Sequence, residues 1–398
     1  MSKLPSVKII TVISVIIVIV FVIPKFFFKD ELIDPVIQLT NEGNTLVGSR
    51  QCRNCHEDIF DSYLNTAHSK TSLPANRKTV KGSFKDGENN FIYSYYDGIV
   101  MKDLDSGLFQ LNFLNRKFDK AYQFDIVIGS GTRGQSYLNW AHDRLLQLPI
   151  SYYTTSNSWA NSPGFPNDVA FFGRAIGSQC LGCHASFVNT LPVAKGEIDR
   201  FDKNSIVFGV NCEKCHGPGG NHVDLLNKNP NAKGDLKIVN AKKLSQRQQL
   251  DACGICHSSI SKDLKPALGF RTGDTIYNTF QFDTTHNLDV HGNQYGLLKQ
   301  SKCFINSTKM TCSSCHDVHK NERGDKKIFS LRCMGCHTKD KTNYKQMAPE
   351  LSDDVIMSNC IDCHMPNKNS EILNVQLSLE AKHRPAVIRS HHIKIYKK

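Results

Sequence analysis

The chain is 398 residues long, carries a formal net charge of +12 and contains 15 cysteines and 16 histidines. Of the cysteines, 14 form Cys-x-x-Cys pairs followed directly by histidine. That pattern excludes a disulfide scaffold, which needs no histidine, and a zinc ribbon, whose histidine ligand lies several residues off. It also excludes a thioredoxin-like site, which uses a single such pair.

In chain order, the first element is an apolar N-terminal stretch. Residues 9–23 are apolar apart from Thr11 and Ser14, Lys3 and Lys8 precede them, and the stretch runs on to Phe28. At about 20 residues it is long enough to span a bilayer, and the preceding lysines favour a cytoplasmic N-terminus. No Ala-x-Ala-like cleavage site follows. The expectation is a transmembrane helix within 1–28, a single-pass anchor in the cytoplasmic membrane with the bulk of the chain periplasmic; a cleaved signal peptide is the alternative. Residues 29–78 are then a tether and the segment of the first cysteine motif.

The seven motifs are Cys52, Cys55 and His56; Cys180, Cys183 and His184; Cys212, Cys215 and His216; Cys253, Cys256 and His257; Cys312, Cys315 and His316; Cys333, Cys336 and His337; and Cys360, Cys363 and His364. With histidine at about 4% of positions, its presence after all seven pairs has a chance probability of roughly 10⁻¹⁰. Two thiols separated by two residues can each form a thioether to one vinyl group of a porphyrin, and the adjacent histidine then lies under the iron. The expectation is seven covalently attached haems c. Each haem brings two propionates and, in the ferric bis-histidine state, a net charge of about −1, so seven cancel over half of the +12. Nucleic-acid binding is therefore not expected.

Residues 79–175, without a motif, have a different texture. Phe91 to Tyr96, Asp97-Gly98 and Ile99 to Met101 predict a β-hairpin with a two-residue turn. Phe109, Leu111 and Phe113 alternate with Gln110 and Asn112, and Tyr122, Phe124, Ile126 and Ile128 alternate with Gln123, Asp125 and Val127. An antiparallel β-rich insert follows from this. Gly129, Gly131 and Gly134 spell Gly-x-Gly-x-x-Gly after a predicted strand, yet no helix and second parallel strand follow, so turn glycines are the better reading.

The first cysteines of successive motifs are 128, 32, 41, 59, 21 and 27 residues apart, and six motifs crowd into the last 219 residues. At that density porphyrins rather than side chains must fill the interior of residues 176–398. The expected fold is mainly α and irregular, a multihaem cytochrome c fold with a haem-filled core, the β-rich insert and the N-terminal transmembrane helix.

Nine histidines remain for seven distal positions: His68, His142, His222, His286, His291, His319, His383, His391 and His392. Bis-histidine coordination throughout is thus arithmetically open. His319, three residues after His316, is too near to cross the same porphyrin and suits a neighbouring haem. His222, beyond Gly217 to Gly220, and His68, twelve residues after His56, suit neighbours in the same way. His286, His291 and His383 fill three further places, and His391 the last. Cys303 is left over and is expected to be buried.

Three runs resemble the multihaem cytochromes related to the c-554 type and to hydroxylamine oxidoreductase: Cys52 to His56 with Tyr63 and Ala67-His68, Cys212 to His222, and Cys312 to His319. That resemblance implies distal ligation by His68, His222 and His319. Electron transfer between redox partner proteins, a quinol-linked donor and an external acceptor, explains every motif and is the expected function. No motif carries the Cys-x-x-Cys-Lys ending of pentahaem nitrite reductases. The alternative is a multihaem oxidoreductase acting on hydroxylamine, nitrite, tetrathionate or sulfite at one five-coordinate haem, with His142, Arg133 and Arg144 lining the pocket.

Overall fold

The computed structural model describes residues 43–258, 260–263, 267–276, 280–282, 288–337, 352–378 and 384–396. The expected anchor, and two of the candidate ligands, His286 and His383, lie outside these residues.

Alternating apolar and polar residues set up two antiparallel sheets between Ser72 and Ile176. One has four strands in the order β2 (Asn90–Ile92), β3 (Gly98–Leu104), β4 (Gly107–Leu114), β5 (Lys117–Gln123). The other has seven, with β1 (Ser72–Pro74), β6 (Ile126–Ile128), β7 (Gly134–Ala141), β8 (Arg144–Gln147) and β11 (Ala175–Ile176) on its main path. Off that path, β9 (Ile150–Tyr153) pairs with β7 and with β10 (Ser158–Asn161).

The two sheets close over a core of Val80, Phe91, Ile99, Met101, Leu108, Phe124, Val127, Tyr137, Leu148, Ile150, Tyr152 and Trp159. Trp159 is the keystone of its aromatic cluster. Its indole Nε1 donates to Ser83 O at 2.8 Å, and Phe84, Tyr137 and Tyr152 set their rings 5.8, 5.8 and 5.4 Å away. Gly82 is required beneath it, because a Cβ there would lie 2.0 Å from the indole.

Two readings of this region change. Ile92 pairs with Gly98, so the β2–β3 connection is the five residues Tyr93 to Asp97 rather than a two-residue Asp-Gly turn. On β4 the face turned inward carries Gln110 and Asn112, not the phenylalanines. Gln110, fully buried, donates to Ile150 O at 2.7 Å and so stitches one sheet to the other; a satisfied amide can occupy a core position. The Gly129 to Gly134 segment is the turn of an antiparallel β6–β7 hairpin, with Gly129 at φ 100° and Gly131 at φ 71°, which agrees with turn glycines.

The motif-bearing chain is built of short helices: α1 (Ser49–Arg53), α2 (Glu57–Tyr63), α3 (Ser178–His184), α4 (Cys212–His216), α5 (Gly220–Lys228), α6 (Gln246–His257), α7 (Gln294–Lys299), α8 (Lys302–Ile305), α9 (Lys326–Met334), α10 (Asp353–Ser358) and α11 (Cys360–His364). Four strand pairs run among them: β12 (Ala185–Phe187) with β15 (Val207–Phe208), β13 (Thr190–Leu191) with β14 (Arg200–Phe201), β16 (Ile260–Asp263) with β17 (Phe280–Phe282), and β18 (Asn367–Val375) with β19 (Arg384–Arg389).

The expectation of a mainly α fold is therefore overturned, since antiparallel strands make up much of the described chain. The physical reason is that a Cys-x-x-Cys-His unit needs only one helical turn, which leaves the connecting chain free to pair as strands. The expected transmembrane helix and single-pass membrane placement are likewise not supported. Among the described residues no helix is long and apolar enough to cross a membrane. The longest has 12 residues, spanning about 18 Å against about 30 Å of hydrocarbon.

Candidate haem sites

Each motif is one turn of helix. The histidine amide bonds back to the first cysteine carbonyl: His56 to Cys52 at 2.9 Å, His316 to Cys312 at 3.0 Å and His337 to Cys333 at 2.9 Å. The other four motifs lie within or at the end of α3, α4, α6 and α11. In such a turn, positions i, i+3 and i+4 share one face, so both thiols and the imidazole project together. Local sequence starts these turns where it must. Asn211 caps α4 by accepting from Lys214 N at 3.1 Å, and Ser245 with Gln248 forms a capping box ahead of α6.

Three motif histidines each lie close to a second histidine. His68 stands 6.2 Å from His257, His319 stands 6.3 Å from His216, and His391 stands 6.2 Å from His316, measured between ring centroids. A metal held between two imidazoles at about 2 Å from each nitrogen separates their centroids by roughly 6 Å. The three spacings meet that requirement. The His216 and His319 planes lie within 16° of each other, the His316 and His391 planes within 31°, and the His68 and His257 planes at 74°.

Burial favours the neutral form of His68, His257, His316, His319 and His391, which is the form that ligates a metal. His68 is pushed down to about 4 by burial and then by His257; His391 is pushed down to about 4 by burial and then by His316. Burial also lowers His184, His257, His291, His316 and His319, with His291 adding to the effect on His184. Three other rings have Nδ1 tied to a backbone carbonyl: His216 to Val239 at 2.8 Å, His222 to Leu236 at 2.7 Å and His364 to Lys394 at 3.0 Å. That bond fixes the ring and leaves Nε2 free to ligate.

Motifs distant in sequence are neighbours in space. Cys52 lies beside Cys212, and their contact pushes Cys52 up and Cys212 down to about 7. Cys253 lies beside Cys312 and Cys333 beside Cys360; the contact pushes Cys253 and Cys333 up and lowers Cys312 and Cys360, Cys360 to about 6. Cys256 meets Cys183 in the same manner. Glu213, inside the third motif, is buried and accepts from Val47 N and Gly48 N at 2.9 Å each and from Gly219 N at 2.8 Å, docking the first motif onto the third. Thr71 and Ser72 hydroxyls donate to His184 O at 3.0 and 2.6 Å.

Backbone carbonyls and hydroxyls of this kind were not visible in the sequence. Glu213 had a signal, an acid between the two cysteines. The residues proposed to line a substrate pocket do not converge. His142 and Arg144 are exposed at the β7–β8 turn, whereas Arg133 sits at the other end of β7, roughly 26 Å away, with a guanidinium bond to Val387 O. Cys303 is half-buried on α8 and burial raises its thiol.

This geometry fits a multihaem c-type cytochrome: paired thiols and a histidine on each turn, and imidazole pairs spaced by a gap of the right width. Comparison with known proteins supports the same class. Residues 171–217 match the family model "Cytochrome c554 and c-prime". The chain is 26% identical over 195 residues to multiheme cytochrome MtrA of Shewanella baltica (strain OS185), an alignment covering 48% of this chain and 45% of that protein. It thus spans about half the length of the curated relative it matches. No solved structure matches. Covalently bound haem c and electron transfer are the chemistry of this class.

Proposed function

We propose that the protein is a heptahaem electron-transfer cytochrome in which the described histidines hold their haems as bis-imidazole pairs. The three facing pairs at 6.2–6.3 Å carry this reading. His68 then serves the haem of His257, His319 that of His216, and His391 that of His316. His291 serves the haem of His184, whose protonation it already opposes. His222 serves the haem of His56, because the start of α5 packs on the chain just before the first motif, with Gly220 N to Thr45 O at 3.0 Å.

When bound, haem c supplies a one-electron Fe(III)/Fe(II) couple. The chain's own part is to hold two neutral imidazoles in place, to fix ring rotation through Val239, Leu236 and Lys394 carbonyls, and to bring motifs into contact. Cys253 and Cys256 of the fourth motif touch the fifth and second motifs, so the contact order departs from sequence order. Redox partner proteins would exchange electrons with this array.

Electron paramagnetic resonance of the ferric holoprotein tests the reading. All haems should be low-spin, and His68→Ala, His319→Ala and His391→Ala should each turn one haem high-spin while mass spectrometry still counts seven. A stoichiometric high-spin signal in the unaltered protein would overturn it in favour of an open, reactive iron.

A further inference from the structure

The loop that orients two of these imidazoles is also strongly basic. Residues 228–243 carry Lys228, Lys233, Lys237, Lys242 and Lys243 against Asp235, a net of +4 within 16 residues of a chain whose whole formal charge is +12. All five lysines are exposed. One ion pair, Lys237 with Asp235 at 2.7 Å, is formed within the loop among the described residues.

The loop is built rather than slack. Asp235 Oδ1 accepts from Lys237 N at 2.9 Å, Asn240 Oδ1 accepts from Lys242 N at 3.1 Å, and Lys237 is held at φ 58°. Its inner edge supplies the carbonyls of Leu236 and Val239 that bond the rings of His222 and His216. Its outer edge opens as a cleft of about 400 Å³ lined by Gly234, Asp235, Leu236, Ile238, Asn240 and Lys243. A redox protein resting on this surface lies one loop thickness from two axial imidazoles.

We propose that this lysine loop is the docking port for an acidic redox protein. The proposal rests on the electron-transfer reading above. Its reasoning is charge complementarity: seven haems offset much of the global positive charge, so steering depends on a local cluster, and a cluster of one sign raises encounter rates by about 10- to 1,000-fold at low ionic strength. Electron-transfer partners also meet through small surfaces, below about 1,200 Å², which suits a single loop.

The test uses the full holoprotein in its ferric state, mixed in a stopped-flow instrument with flavodoxin hydroquinone, an acidic one-electron carrier. The reduction rate should fall as salt rises from about 10 mM to about 500 mM, where the screening length shrinks below about 5 Å. The variant K233Q/K237Q/K242Q/K243Q should lose about tenfold of the low-salt rate and most of the salt slope. A control variant on the β5 edge, K117Q/K120Q, should keep both. Wild-type rates insensitive to salt, a loop variant matching wild type, or an equal loss in the β5 variant would each overturn the port. Haem count and low-spin signal, read on the same samples, report on the bis-histidine array separately, so its failure is distinguishable from failure of the port.

Discussion

The two-sheet region and the motif-bearing region solve the problem of an interior in opposite ways. Between Val80 and Trp159 a single cluster of 12 buried residues fills the space between the sheets, led by Tyr137, Phe91, Phe124 and Trp159. One cluster is shared with the sheets, Leu181, Val188, Phe201 and Ile206 packing on Ile126, Leu138, Leu145 and Ile176; beyond it the clusters around the motifs are small, with Ile255, Phe270 and Ile276 in one and Val290, Leu297 and Ile388 in another. Apolar area removed from water is the main driving force of folding, at about 25 cal/mol per Å². The first region has that area in its own side chains. The second presents paired thiols and imidazoles where a core would be, and draws its interior from what those groups hold.

The largest expected consequence is asymmetric dependence on haem. Protein made without haem attachment should lose ordered structure from about residue 177 onward, while the two-sheet region stays folded. Limited proteolysis with mass mapping checks this: a resistant fragment covering residues 72–176 is expected. Equal resistance across both regions would erase the distinction.

The reverse perturbation comes next in size. Trp159→Ala removes the indole that Gly82 was kept small to admit, and a buried tryptophan truncated to alanine costs about 3–5 kcal/mol. Thermal melting followed in the far ultraviolet should show the β signal lost at lower temperature, with the haem absorbance midpoint unmoved. A shared shift of both midpoints would mean that the regions fold as one cooperative unit.

How much of this was legible in the sequence follows from the range of the interactions. The motif turns are local, and spacing of three and four along a helix already puts Cys212, Cys215 and His216 on one face. The β6–β7 hairpin is local too, and its turn glycines read correctly. The approach of His68 to His257, across 189 residues, is set by the packing of other elements, and so the sequence supplies candidate ligands without pairing them. Leu236 and Val239 act through backbone carbonyls, which any residue type supplies. Gln110 reads as a surface residue until its partner, the Ile150 peptide on another sheet, is known. The mainly α expectation failed because motif density was read as helix density, when each motif consumes only one turn.

The smallest effect tests whether side chains contribute to cohesion between motifs at all. Arg332, just before the sixth motif, donates to Cys315 O of the fifth at 2.6 Å and to Glu322 Oε2 at 2.6 Å. The two side chains are 23% and 9% exposed, so solvent screens the pair only in part. Arg332 holds the Glu322 carboxyl below the usual carboxylate range. A carboxylate depressed in the folded state stabilises above its unfolded value, about 4.3 for glutamate, and that contribution is lost as pH falls through the folded value. Glu322→Gln should therefore cost about 2 kcal/mol at neutral pH, read as a lower urea midpoint in haem absorbance, and the gap from wild type should narrow as pH falls below about 4. A gap that persists at low pH would show that the pair acts by shape rather than charge, and the motif region would owe its cohesion to haem alone.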